Sequence, residues 1–266
     1  MVQVVGLLTQ RSINDQKSCS MKALKKRNIV IFILFFINIQ IIIAGPPFDT
    51  DDPEPVEFKH WEYYISSVND HQPGVWSGTS PHFETNYGAI PNIQIHLLMP
   101  INYNFPVHQK ADFGYADTEF GIKYRFVKET DNTPMIGTFP LIEIPTVKNS
   151  EFSNGKTKIF LPVWLQKSWG NFLTYGGAGY WINPGSGNRN WVFTGWELQY
   201  TFSPLIMLGG ELYYHTASVN DGKAQTGMNL GGSINPSEKF HFIFSVGRTF
   251  TNDNTYTSYL GLLWTI

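Results

Sequence analysis

Ser153, Asn154 and Gly155, in the run EFSNGK, put a hydroxyl on a sharp turn. A serine there can act as a nucleophile if a general base lies beside it. The residue two places earlier is Glu151 rather than a histidine, and Ser-Asn-Gly is also ordinary turn chemistry. Asp49, Asp51, Asp52 and Glu54 offer hard oxygen ligands of the kind that gather calcium. Pro46, Pro47, Pro53 and Pro55 hold the same run extended and remove ladder donors from it. The seven histidines (His60, His71, His82, His96, His108, His215 and His241) are spread along the chain, none paired at metal-ligand spacing. A larger set of polar side chains is set at alternate positions within otherwise apolar runs. It comprises Glu62, Glu84, His96, Glu119, Lys123, Arg125, Glu197, Gln199, Glu211, Tyr213 and His215. Alternation of this kind gathers charge on one face of a sheet.

The elements that carry these residues are strands. Beyond residue 57 no helical period appears, and short alternating runs number twelve. They span about 59–67, 81–89, 92–101, 116–127, 134–144, 157–168, 172–181, 191–202, 205–216, 225–235, 240–249 and 256–266. In 116–127, Phe120, Ile122, Tyr124 and Phe126 oppose Glu119, Gly121, Lys123 and Arg125. In 191–202, Trp196, Leu198, Tyr200 and Phe202 oppose Gly195, Glu197, Gln199 and Thr201. Almost every strand has such an apolar face, and no helix is available to cover it. The connections alternate too: SSVNDHQPGVWSGTSP is long, AIPN short, NYNFPVHQKADFGYA long, ETDNT short, PTVKNSEFSNG long, WGN short, NPGSGNRN long and SP short. These features predict an all-β transmembrane antiparallel β-barrel of about twelve strands, with short periplasmic turns and long extracellular loops. Trp181 and Trp191 flank one expected outer loop, and Trp169 and Trp264 lie at opposite-side ends, as two aromatic girdles would require. Arg248 falls on the lipid parity of its strand unless Gly247 marks a bulge.

The front of the chain supports export. Lys22, Lys25, Lys26 and Arg27 precede the apolar run Ile29–Ile43, and Ala44 precedes a Gly-Pro break. This is the pattern of a Sec-type signal peptide cleaved near Ala44, with Met21 an alternative start; an uncleaved anchor is the other reading. Residues 1–44 are then extension plus signal, 45–56 an acidic segment, and 57–266 the barrel. Cys19, the only cysteine, falls in the removed part. Six of the 19 basic and one of the 21 acidic side chains precede Gly45, leaving 13 against 20, a net charge of −7. That disfavours nucleic acid or anionic lipid headgroups as partners. The expected partners are the lipid bilayer, the barrel-assembly machinery and a small-molecule cargo. The closing YLGLLWTI resembles the terminal signal that this machinery reads, but ends on Ile266 instead of an aromatic residue.

Several long stretches, GPPFDTDDPEPVEFKHWEYY, YGAIPNIQIHLLMP, DTEFGIKYRFVKET, FPLIEIPT, FLPVWLQKSWG and YGGAGYWINPGSGNRNW, resemble the meta-pathway phenol-degradation family of outer-membrane transporters. The resemblance runs from Gly45 to Ile266. It implies a channel or facilitator for passive passage of small molecules, with aromatic or hydrophobic compounds as cargo, and brings neither catalytic residues nor a cofactor. Ser153-Asn154-Gly155 also matches part of the His-x-Ser-Asn-Gly motif of outer-membrane phospholipases, which leaves a hydrolase as an alternative. A structural or adhesive barrel is a third. Within the barrel reading, Asp49, Asp51, Asp52 and Glu54 form a periplasmic lead-in, a lumen plug or a calcium site. Glu197 and Glu211, on a hairpin closed by Ser203-Pro204, should lie nearly opposite each other, and Lys123 or Arg125 is the expected cation between them. The luminal charges could set selectivity or fill the lumen with ion pairs.

Overall fold

The structure is a computed structural model, described for residues 45–147, 152–251 and 254–266. The expected signal segment, its cleavage point at Ala44, the alternative start at Met21, Cys19 and Glu151 lie outside the described residues.

Fourteen strand segments form one antiparallel sheet. They are β1 (Trp61–Gln72), β2 (Val75–Ile90), β3 (Ile93–Pro106), β4 (Asp112–Tyr115), β5 (Thr118–Val127), β6 (Met135–Thr138), β7 (Leu141–Ile144), β8 (Lys158–Trp169), β9 (Phe172–Ile182), β10 (Trp191–Ser203), β11 (Ile206–His215), β12 (Gln225–Ser237), β13 (Phe240–Thr249) and β14 (Tyr256–Thr265). Both β4 and β5 pair with β3, and both β6 and β7 lie between β5 and β8. Each pair is therefore one wall strand with a break, so the wall has twelve strands. The break between β6 and β7 contains Pro140, which has no N–H to give the ladder.

The ring closes where the first strand meets the last. Glu62 pairs with Thr265 and His71 with Tyr256. Trp61 and Ile266 exchange both backbone hydrogen bonds at that seam (2.8 and 2.9 Å), so the terminal strand is fully paired to its last residue. A closed ring leaves no edge to satisfy, which is what a hydrocarbon environment demands of a sheet. Outward-facing apolar side chains, among them Ile65, Ile122, Leu198, Leu212, Val246 and Leu260, are exposed on the outside of the ring. Trp61, Tyr63, Trp169 and Trp264 stand outward at the rim that holds the seam, and Trp61 stacks on Tyr87 at 4.3 Å.

The rims differ as the loop rhythm predicts. At the seam rim, Pro91-Asn92, Gly170-Asn171, Pro204-Leu205 and Glu238-Lys239 are two-residue turns. On the far rim, two of the expected long loops are strands instead. Residues 66–81 continue β1 and β2 to a tight Pro73-Gly74 turn, and residues 102–116 supply the ends of β3 and all of β4. Ser, Asn, Asp and Gly in these stretches read as loop residues, but a strand standing beyond the apolar belt needs no apolar face. Bulges near Ser67 and Ser80–Pro81 absorb the irregular residues. Strands β12 and β13 keep register through Gly247, so there is no bulge there; Arg248 faces outward at the far rim with its guanidinium 5.6 Å from the Tyr256 ring.

Candidate functional site in the barrel lumen

Strand parity delivers the polar set inward. Lys123, Glu197, Gln199 and Glu211 are buried, whereas their neighbours Ile122, Leu198 and Leu212 are exposed on the outer face. In β10 and β11 the register places Glu197 directly opposite Glu211.

Residues 45–58 run along the inner wall. Ser245 Oγ donates to the Pro47 carbonyl (2.7 Å). The Glu211 carboxylate accepts the backbone N–H groups of Asp49 (2.9 Å) and Thr50 (2.8 Å), and Asn229 Nδ2 donates to it at 2.6 Å. Lys123 Nζ donates to Asp51 (2.9 Å) and Asp52 (3.1 Å). Arg125 lies 3.5 Å from the Glu54 carboxylate, which also accepts Gln166 Nε2 at 3.0 Å. Gln94 Oε1 takes the Val56 N–H (2.9 Å), and Phe58 bridges to Gly88 near the seam rim. Thr50, Asp52 and Pro53 are fully buried.

Two wall glycines make this approach possible. A Cβ on Gly195 would fall 1.9 Å from Thr50 Oγ1, and one on Gly88 would fall 1.9 Å from the Glu57 carbonyl oxygen. Any larger residue at either position would push the segment off the wall.

This arrangement changes the expected pairing of Glu197 and Glu211. Neither Lys123 nor Arg125 stands between them. Lys123 pairs with Asp51 and Asp52, and Arg125 with Glu54. Glu211 is satisfied by backbone N–H groups some 160 residues away in sequence, and Glu197 accepts from Gln199 Nε2 at 2.7 Å. Gln199 Nε2 also reaches the Tyr175 hydroxyl at 3.2 Å.

A second polar group lies on β1, β2, β3 and β5. His96 is within 3.1 Å of Glu119 and 3.5 Å of Glu84, with Asn86 Oδ1 2.7 Å from its Nδ1. Glu62 accepts from the Tyr64 hydroxyl at 3.0 Å. These contacts tie neighbouring strands together across the inner surface.

Above the inner segment, towards the far rim, a cavity of about 470 Å³ opens. Asp49 and Asp51 are at its floor. One wall is aromatic: Phe139, Phe160, Trp164, Trp181, Trp191, Phe193 and Tyr213. Trp181 stacks on Trp191 (5.5 Å, 12° between planes) and on Phe160 (4.8 Å, 17°). These two tryptophans therefore line the lumen and do not belong to an outer girdle. Their parity carries the reason: Trp191 shares the odd positions of Phe193, Gly195 and Glu197, all of which face inward. The facing wall is polar, with Asp70, Gln72, Gln225, Thr249, Thr255 and Thr257. His215 is at the junction of the two, edge-on to Trp191.

Ser153 accepts the Gly155 N–H (3.2 Å), and Asn154 accepts the Lys156 N–H (2.8 Å), the bonding of an exposed turn. Among the described residues, no three of His, Cys, Asp and Glu converge as a metal-binding group.

Neither a family model nor a curated relative matches the sequence. Solved structures do. The COG4313 outer membrane channel from Pseudomonas putida F1 superposes with a TM-score of 0.64 at 12% identity, over 82% of this chain and 100% of that one. The NanC porin gives 0.54 at 9% identity, and the KdgM porin in complex with disordered oligogalacturonate gives 0.51 at 10%, each over 76% of this chain and 98% of the other. At such identities the likeness concerns architecture alone: the chain has the closed twelve-stranded antiparallel barrel of outer-membrane channels and porins.

Proposed function

We propose that the protein is an outer-membrane channel for passive passage of small molecules, with aromatic or hydrophobic compounds as its cargo. In this reading residues 45–56 are a plug that narrows the lumen, and Asp49, Asp51, Asp52 and Glu54 hold it there. The supporting observation is the cavity of about 470 Å³, walled on one side by stacked indoles and floored by the inner segment. Its size is that of an ordinary small-ligand site. The segment is attached mainly by side-chain contacts, which a thermal fluctuation can break one by one, whereas the wall is a continuous ladder. With the segment released, the polar inner set acts on what passes: Glu62, Glu84, Glu119, Glu197 and Glu211, with Gln199 among them, outnumber Lys123, Arg125 and His96. A net acidic lining favours cations over anions.

The test is flux into proteoliposomes. Vesicles carrying the protein should admit small neutral aromatics faster than sugars of equal mass. Equal rates for both, or rates no higher than in protein-free vesicles, would refute the cargo assignment.

A further inference from the structure

The cavity combines two chemistries on opposite walls. From β1 the ring passes through β14, β13, β12, β11 and β10 to β9, half of the twelve-strand circuit, so Asp70 on β1 and Trp181 on β9 face each other across the lumen. The Asp70 carboxylate makes no hydrogen bond or ion pair among the described residues. Asp49 shares the Asn229 amide with Glu211, and Asp51 is engaged by Lys123. No lysine or arginine is among the residues lining the cavity.

The stacked rings meet one another face to face, so towards the lumen they offer an apolar wall against which the hydrocarbon part of a ligand can lie. A lone carboxylate opposite attracts a cation and repels an anion. We propose that this cavity binds organic cations, aromatic or alkyl amines and quaternary ammonium compounds, in preference to aromatic acids. The proposal deepens the channel reading and rests on it for its role, but its test needs no flux. Asp70 supplies the charge, and Trp181 and Trp191 supply the apolar contact surface. A phenolate or benzoate would meet Asp70 and Asp49, and the one basic side chain among the lining residues is His215.

The experiment is calorimetric titration of the refolded protein in detergent with benzyltrimethylammonium, benzoate and benzyl alcohol. The ammonium ion should bind at least about tenfold more tightly than benzoate. Asp70→Asn should lower ammonium affinity about tenfold and leave benzyl alcohol unchanged, because it removes charge while keeping shape. Benzoate binding as tightly as the ammonium ion, equal loss of both ligands in Asp70→Asn, or no binding of any of the three would overturn the proposal. Absence of channel conductance would refute the channel reading and leave this result standing, so the two failures are distinguishable.

Discussion

Lys123→Met should open the lumen. Lys123 is almost fully buried, and its ammonium is shared between Asp51 and Asp52, the latter with no solvent exposure. Removing one partner of a buried ion pair costs about 3–5 kcal/mol, because the remaining charge is left without compensation. Asp51 is 24% exposed and so partly hydrated, which places the estimate at the lower end, about 3 kcal/mol. The penalty exists only while the segment is seated; once it leaves, both carboxylates reach water. The equilibrium between seated and released states should therefore shift towards release on the order of 100-fold. Single-channel recording reads this directly as a rise in open probability. The same substitution in a protein lacking residues 45–56 should have no effect on gating, since its partners are gone. Unchanged open probability in the full protein, or an equal effect in the truncated one, would refute the assignment of Lys123 as the anchor.

Other outcomes follow from the same geometry. Gly195→Val should displace Thr50 from the wall, and conductance should rise while folding yield in heat-shift electrophoresis stays normal; a silent or misfolded variant would contradict the close approach. Leu198→Arg puts a charge on the lipid face near mid-strand and should cost about 2–4 kcal/mol, seen as a lower midpoint in denaturant titration from lipid vesicles. A wild-type midpoint would mean that β10 faces the other way. Ser153→Ala should leave the lipid composition of host vesicles unchanged over hours; loss of a hydrolysis present in the parent would establish an enzyme instead.

The strands inside the apolar belt were legible in the sequence because lipid imposes a strict period of two. The run 191–202 is Trp191–Ser203, and 205–216 is Ile206–His215. The same rule fell silent above the belt, where strands within 66–81 and 102–116 carry turn-type residues and only scattered exposed aromatics such as Trp76, Phe105 and Phe113. It could have placed Trp181 and Trp191, since parity counted from Trp196 sends Trp191 inward; their position beside a loop pointed the other way. The opposition of Glu197 and Glu211 was readable from the two-residue turn between their strands. What satisfies Glu211 was not, because its partners are backbone N–H groups in a segment without secondary structure, about 160 positions away. No local pattern encodes such a contact; the acidic, proline-held run only showed that it could not join the sheet.

Planar-bilayer conductance reads out whether the inner segment governs a pore. The refolded protein should be recorded beside a version lacking residues 45–56. Small, infrequent steps are expected from the former and larger, sustained, cation-selective steps from the latter. Silence from both, or identical steps from both, would contradict a pore governed by the segment.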